Sequence, residues 1–205
     1  MNRHHAFKAL LLSLAVFATL LVSFAGFPER EAAAIQHDFS FGKTKSNVEI
    51  YIFSDWFCPI CMKVEPIVET AIPTLTQKAK VTFVDKPIYP ESMNFTPYHL
   101  SFAAYEKEKY LQLRKALFGV AKKTKNPTVA DISAAIAPLK VNYRQLSFMD
   151  VTQQMGKFQA IAGQFKVAAT PTLVFFNTKT KKTRTLVGGN EITADGIAHA
   201  LKSVE

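Results

Sequence analysis

Cysteine is nearly absent from this chain of 205 residues: there are two, Cys58 and Cys61. A secreted domain stapled by disulfides carries several cysteines at varied spacings, and that class is excluded. Bridging so short a loop removes little entropy from the unfolded chain, and a chain that is 48% hydrophobic builds its core without that help. Histidines with ligand spacing are also missing. His37, His99 and His199 stand apart, so nothing completes a zinc site with the two thiols, and no metal is expected. Neither zinc-finger spacing nor a ribonucleoprotein aromatic motif is present. The chain is basic, with 25 Lys+Arg against 16 Asp+Glu. Its clusters, "KKTK" at 122–125 and "KTKKTR" at 179–184, nevertheless read as solvated turns, and no nucleic-acid partner is expected. Internal repeats are absent too.

Charge is missing from one stretch in particular. Arg3 and Lys8 precede "ALLLSLAVFATLLVSFAGF", residues 9–27, which holds none. A basic start, an apolar core and the small-residue site Ser23-Phe24-Ala25 form an export signal. The run is also long enough to span a bilayer, so residues 1–25 read as a signal peptide or a retained N-terminal membrane anchor. In both cases the basic flank stays inside and the remaining chain lies outside the cytoplasm.

Beyond that run, "NVEIYIFSD" (47–55) is rich in β-branched and aromatic residues and reads as a buried strand ending just before Cys58. From Pro59 to about Lys80 an apolar stripe (Ile60, Val64, Ile67, Val68, Ile72, Leu75) predicts a helix, which Pro66 should kink. "VTFVDKPI" (81–88) is a second strand, and strand–helix–strand over so few residues implies a parallel βαβ unit. Helical patterns follow. Tyr110, Leu113, Leu117 and Val120 mark one helix. Thr128 and Asp131 cap a second that Pro138 ends, and Phe148, Val151, Met155, Phe158, Ala162 and Phe165 line a third. These Met and Phe residues read as core packing, and no cofactor is expected. "TPTLVFFN" (170–177) and "TRTLVGG" (183–189) form a hairpin, and Thr193 caps a last helix bearing Ile197, Leu201 and Val204. The fold class is α/β, a βαβ half and a ββα half interrupted by helices. The divisions are 1–25, then 26–88 for the N-terminal segment and first half, 89–163 for the helical insertion and 164–205 for the second half.

In this layout Cys58 stands at a helix N-terminus, with Pro59 at the first helical position. Unpaired N–H groups and the positive end of the helix dipole favour a thiolate there. Cys61, one turn later on the same side, should be the more buried. An exposed thiolate that attacks and a second thiol that resolves is what dithiol exchange needs.

"FSDWFCPIC", followed over a hundred residues later by "VAATPTLVFFN" and "VGG", resembles the DsbA-like branch of the thioredoxin superfamily across roughly residues 37–205. The resemblance implies a thioredoxin fold with an inserted helical subdomain. It makes Cys58 the nucleophile, Cys61 the resolving thiol and Pro171 a cis-proline facing them, with Thr170 offering backbone hydrogen bonds to an extended substrate segment. Trp56, Phe57, Pro59 and Ile60 would supply an apolar surround for that segment. The implied protein is a periplasmic or otherwise extracytoplasmic thiol–disulfide oxidoreductase, acting first as an oxidase on cysteines of exported proteins. Isomerase, reductase or chaperone-like peptide binding are the alternatives. A membrane redox partner would reoxidise or reduce the pair. Three positions depart from the family. Ile60 stands where DsbA has histidine, Thr170 resembles the isomerase relatives, and Ile52 replaces a buried glutamate that relays the resolving cysteine's proton. In this chain the relay would fall to Asp55, to water or to nothing.

Overall fold

Strand β2 (Val48–Ser54) is the axis of the molecule, and β-branched and aromatic side chains supply both of its faces. The computed structural model describes residues 37–205, which form one compact unit. The signal or anchor expected over 1–25 lies outside the described residues. Among those described, no helix is long and apolar enough to cross a membrane. The five strands run in the order β1 (Ser40–Gly42), β3 (Lys80–Asp85), β2, β4 (Thr172–Asn177), β5 (Thr183–Val187). β2 pairs in parallel with β3 and antiparallel with β4. β1 and β5 close the two edges, both antiparallel to their neighbours.

Helix α1 (Pro59–Lys78) makes the crossover between β2 and β3, burying Val64, Val68, Ile72 and Leu75. It runs unbroken through Pro66, expected to kink it, and through Pro73 as well. The final helix α7 (Ala194–Val204), capped by Thr193 as its sequence predicts, packs beside α1. Successive side chains of a strand alternate between faces. Asn177 donates its side-chain N–H to the carbonyl of Val204, so the Val48/Ile50 side of the sheet is the one that α7 covers. Tyr51 and Phe176 stand on the other side, where the Phe165 ring packs on both.

Between β3 and β4 come α2 (Thr96–Tyr105), α3 (Tyr110–Ala121), α4 (Val129–Ile136) and α5 (Phe148–Gln164). The expected capping box of α4 is present: Thr128 Oγ1 accepts from the Asp131 amide, and the Asp131 carboxylate accepts from the Thr128 amide. A short helical turn α6 (Gly188–Glu191) precedes α7.

Two strand ends and two residues depart from the sequence reading. β3 ends at Asp85, because the amides of Ile88 and Tyr89 turn away to a carboxylate instead of a neighbouring strand. β5 ends at Val187, where Gly188, at φ +71°, turns the chain into α6. Phe148, read as part of an apolar stripe, is 84% exposed: it opens the first turn of α5, and its helix meets the core only from Val151 onward. Trp56, read as part of a surface, is 2% exposed.

The insertion is tied to α1 by a buried ion pair. The guanidinium of Arg114, on α3, donates through Nε to Glu65 Oε1 and through Nη2 to Glu65 Oε2, the latter at 3.1 Å. It is enclosed by the rings of Trp56, Phe83 and Phe118 at 5.0, 4.8 and 5.1 Å. Burial alone would lower the Arg114 pKa, but the Glu65 carboxylate outweighs it, and the group stays cationic. Removing one partner of such a pair strands a charge, at a cost of about 3–5 kcal/mol, whereas replacing both is close to neutral. Arg114→Met should therefore destabilise the chain in urea by about that amount, and adding Glu65→Leu should restore most of the loss.

Candidate redox site

The site is assembled where β2 ends. The Cys58 amide donates to the carbonyl of Asp55 (3.3 Å), closing a turn that delivers Cys58 to the N-cap of α1. Proline at the next position has no N–H to leave unpaired and holds the φ a helix requires. The Cys61 amide, otherwise orphaned in the first turn, donates to Cys58 Sγ at 3.3 Å. Both thiols are free in this structure. Their accessibility differs as expected in order but not in degree: Cys58 is 7% exposed and Cys61 1%, so Cys58 too is largely buried.

The loop before β4 closes over the sulfurs. The Thr170–Pro171 peptide bond is cis, and the Cys58 thiol donates to the Thr170 carbonyl at 3.6 Å. The Thr170 hydroxyl is buried beside Cys61 without a well-aligned partner. Gly188 donates its amide to the Pro171 carbonyl at 2.9 Å, which fixes the end of β5 over the same loop. An added Cβ on Gly189 would come within 3.5 Å of the Ile60 side chain.

Burial first, and the contact with Cys58 second, push the Cys61 thiol from an ordinary value of 9.0 up to about 12. The main chain of Asp55 and the Thr170 hydroxyl pull weakly the other way. The neutral thiol is thus the folded form. What this contributes to the reduced protein's stability is present below about pH 9 and is lost as pH rises toward about 12.

Of the apolar surround expected here, Pro59 and Ile60 are exposed and Phe57 is half-buried. Trp56 is packed beneath the surface against Phe118 (4.7 Å) and Phe95 (5.8 Å), out of a substrate's reach. Ile52, in the place of the family's relay glutamate, is buried and pairs across the sheet with Phe83 and Leu173. Asp55 is buried but fully occupied. Its Oδ1 accepts from the Phe57 amide (2.7 Å) and the Ser92 hydroxyl (2.8 Å), its Oδ2 from the amides of Ile88 (2.6 Å) and Tyr89 (3.0 Å). A carboxylate offers about four acceptor sites, and all are taken, so Asp55 has none for the Cys61 proton. Among the described residues no group of three or more His, Cys, Asp or Glu could hold a metal ion. Sequence reasoning missed Ile88, Tyr89 and Val187, exposed residues on two further segments that hydrogen bonds tie to Asp55 and to Pro171.

One expectation follows from the position of Cys61. In a Cys58→Ser variant its alkylation rate should keep climbing about tenfold per pH unit well past pH 9, because the reactive species is the thiolate. A plateau near pH 9, with circular dichroism reporting a folded protein, would contradict the burial-raised pKa.

The sequence pattern that defines the thioredoxin family, described as "Thioredoxin", matches residues 35–188. No curated protein matches the chain. Solved structures do. A periplasmic thioredoxin-like protein from Salmonella enterica serovar Typhimurium superimposes with a TM-score of 0.62 at 17% identity, covering 83% of this chain and 93% of its own. The catalytic domain of Proteus mirabilis ScsC gives 0.60 at 19%, covering 84% and 93%. The thiol-disulfide exchange protein alpha-DsbA2 from Wolbachia pipientis gives 0.54 at 17%, covering 80% and 84%. With the pattern spanning most of the chain and the same fold recurring in these structures, the chain belongs to the thioredoxin family.

Proposed function

We propose that the protein is an exported thiol–disulfide oxidoreductase in which Cys58 is the nucleophile and Cys61 the resolving thiol. The observation that carries this reading is the pair itself. One sulfur sits on a helix N-cap under a cis-proline loop, and a second, deeper thiol donates its amide to it. Export rests on the apolar run 9–27, and a periplasmic protein and a thiol-disulfide exchange protein share the fold. The substrates are cysteine-containing exported proteins, held through main-chain hydrogen bonds to Thr170.

In the oxidising direction a substrate thiolate attacks Cys58 Sγ of the Cys58–Cys61 disulfide. The S–S bond breaks, and the electron pair goes to Cys61, which takes up a proton. A second substrate thiolate then attacks the substrate sulfur of the mixed disulfide and releases Cys58 as the thiolate. Two electrons pass from the substrate to the pair, and a membrane redox partner removes them again. The high pKa of Cys61 makes it a poor leaving group until it is protonated, and the Thr170 hydroxyl is the polar group beside it.

Cys61→Ser, reduced and offered a disulfide-bonded substrate, should accumulate mixed disulfides through Cys58, visible on non-reducing gels, because the thiol that would attack Cys58 Sγ and release the substrate is missing. Labelling of reduced protein at neutral pH should reach Cys58 far ahead of Cys61, and the reverse order would overturn the assignment. The direction of flow is read from the potential. Ile60 removes the inter-cysteine histidine of DsbA and part of its stabilisation of the reduced form. Equilibration with glutathione should then give roughly −140 to −210 mV, between about −120 mV for DsbA and about −270 mV for thioredoxin. A value near the latter would replace the oxidase reading by a reductase one.

A further inference from the structure

Asp55 is the most heavily engaged buried carboxylate among the described residues, and none of its four contacts is to a cysteine side chain. One oxygen grips the Phe57 amide, immediately before Cys58. The other grips two successive amides, of Ile88 and Tyr89, in the loop that leaves β3. The Ser92 hydroxyl fastens the far end of that loop to the first oxygen. A single buried group thus joins the cysteine loop to a segment some thirty residues away in the chain. Main-chain bonds hold the ends of that segment, from the Lys86 amide to the Ser54 carbonyl and from the Ser92 amide to the Tyr89 carbonyl, but the amides of Ile88 and Tyr89 have left the sheet and find their acceptor in Asp55.

What is held there is apolar and exposed. Four of the eight large apolar side chains exposed among the described residues stand on segments joined to the cysteine loop or to the loop that closes over it. They are Ile60 beside Cys58, Val187 at the end of β5, and Ile88 and Tyr89 on the loop that Asp55 ties down. The other four are spread over the helical insertion and its approach. Exposed apolar residues gathered at one place mark a contact surface. Ile60 and Val187 stand on the α1–β5 side of Cys58, and Ile88 and Tyr89 on the β3-loop side.

We infer that Asp55 is a positioning residue for substrate recognition. Its carboxylate holds the Ile88–Tyr89 loop as one wall of a docking surface for an extended segment bearing apolar residues on both sides of its cysteine. This rests on the thiol-exchange reading and names the substrate class. The charged hydrogen bonds fit the task, since a wall of two side chains on an unpaired loop discriminates only if the loop keeps its place. Asp55 acts through this wall and not through the proton of Cys61.

The test compares two synthetic peptides, each carrying one cysteine pair, with the cysteines flanked by Leu and Ile in one and by Ser and Gly in the other. Wild-type full-length protein should favour the apolar-flanked peptide by about tenfold or more in kcat/KM, through KM. Asp55→Asn removes acceptor capacity while keeping shape. It should expose the Ile88 and Tyr89 amides to hydrogen exchange and bring the preference to within about threefold, with the loss in KM. Ser92→Ala, which cuts one of the four bonds, should fall between. Should Asp55→Asn fail to fold, Ile88→Ser with Tyr89→Ser, both on the surface, must reduce the preference in the same way. The inference is overturned if either variant keeps the wild-type preference, or if both peptides decline equally. A wild-type protein that turns over both peptides alike refutes the docking surface but leaves the thiol chemistry standing. One that turns over neither refutes the oxidoreductase reading itself.

Discussion

The first turn of α1 has backbone N–H groups that no carbonyl of the helix can accept, and the architecture around the cysteines answers to that shortage. The Cys61 amide is satisfied by Cys58 Sγ, which fixes the sulfur on the N-cap and leaves the resolving thiol one turn deeper. For this to work the chain must leave β2 at Ser54 and turn once before the helix, a turn closed by the hydrogen bond from the Cys58 amide to the Asp55 carbonyl. The same turn points the Trp56 side chain inward among the aromatic rings of the insertion and points the Asp55 carboxylate at the loop after β3. Main-chain satisfaction, not side-chain chemistry, sets the geometry, and the chemistry follows from it.

Where local periodicity carried the information, it was readable from residues alone. The apolar run of β2, the stripe of α1, the Thr128–Asp131 cap and the Thr193 cap all lie in single segments, and each element formed where its pattern stands. Thr170–Pro171 was legible only through the resemblance to a family, since a Thr–Pro step has no signature of its own. The remainder was illegible for physical reasons. α2 is buried over most of its circumference, from Thr96 to Ala103, and so shows no amphipathic period to detect. β1 has three residues, too few for an alternation, and depends on Gly42, at φ +78°, where a Cβ would collide with the backbone of Thr76. Ile88, Tyr89 and Val187 stand on segments that reach the cysteine loop and the Pro171 loop only after the sheet is built. Trp56 misled the reading because an aromatic beside a reactive cysteine suggests a contact surface, whereas a ring of that size is worth more to the core.

The buried charges show a division of labour that composition does not reveal. Glu65 and Arg114 neutralise each other between α1 and α3. Asp85 lies 2.9 Å from His99 Nδ1, though without hydrogen-bond geometry, and links β3 to α2. Burial would raise the Asp85 carboxyl, but His99, Thr96 and Arg114 outweigh it and hold the group below its ordinary range. Both contacts tie the helical insertion to the thioredoxin half, and both lie directly beneath the aromatic cluster that supports the cysteine loop.

The Glu65–Arg114 contact also bears on how such a chain can change over evolutionary time. The insertion occupies one continuous stretch between β3 and β4, the kind of segment that recombination could exchange whole between relatives. Its cation is neutralised by a residue in the preceding segment, on the cysteine-bearing helix itself. An exchanged insertion without an arginine at that place would leave Glu65 stranded, and a transplanted one would strand its own Arg114. A change at either position is therefore best tolerated when the other changes with it.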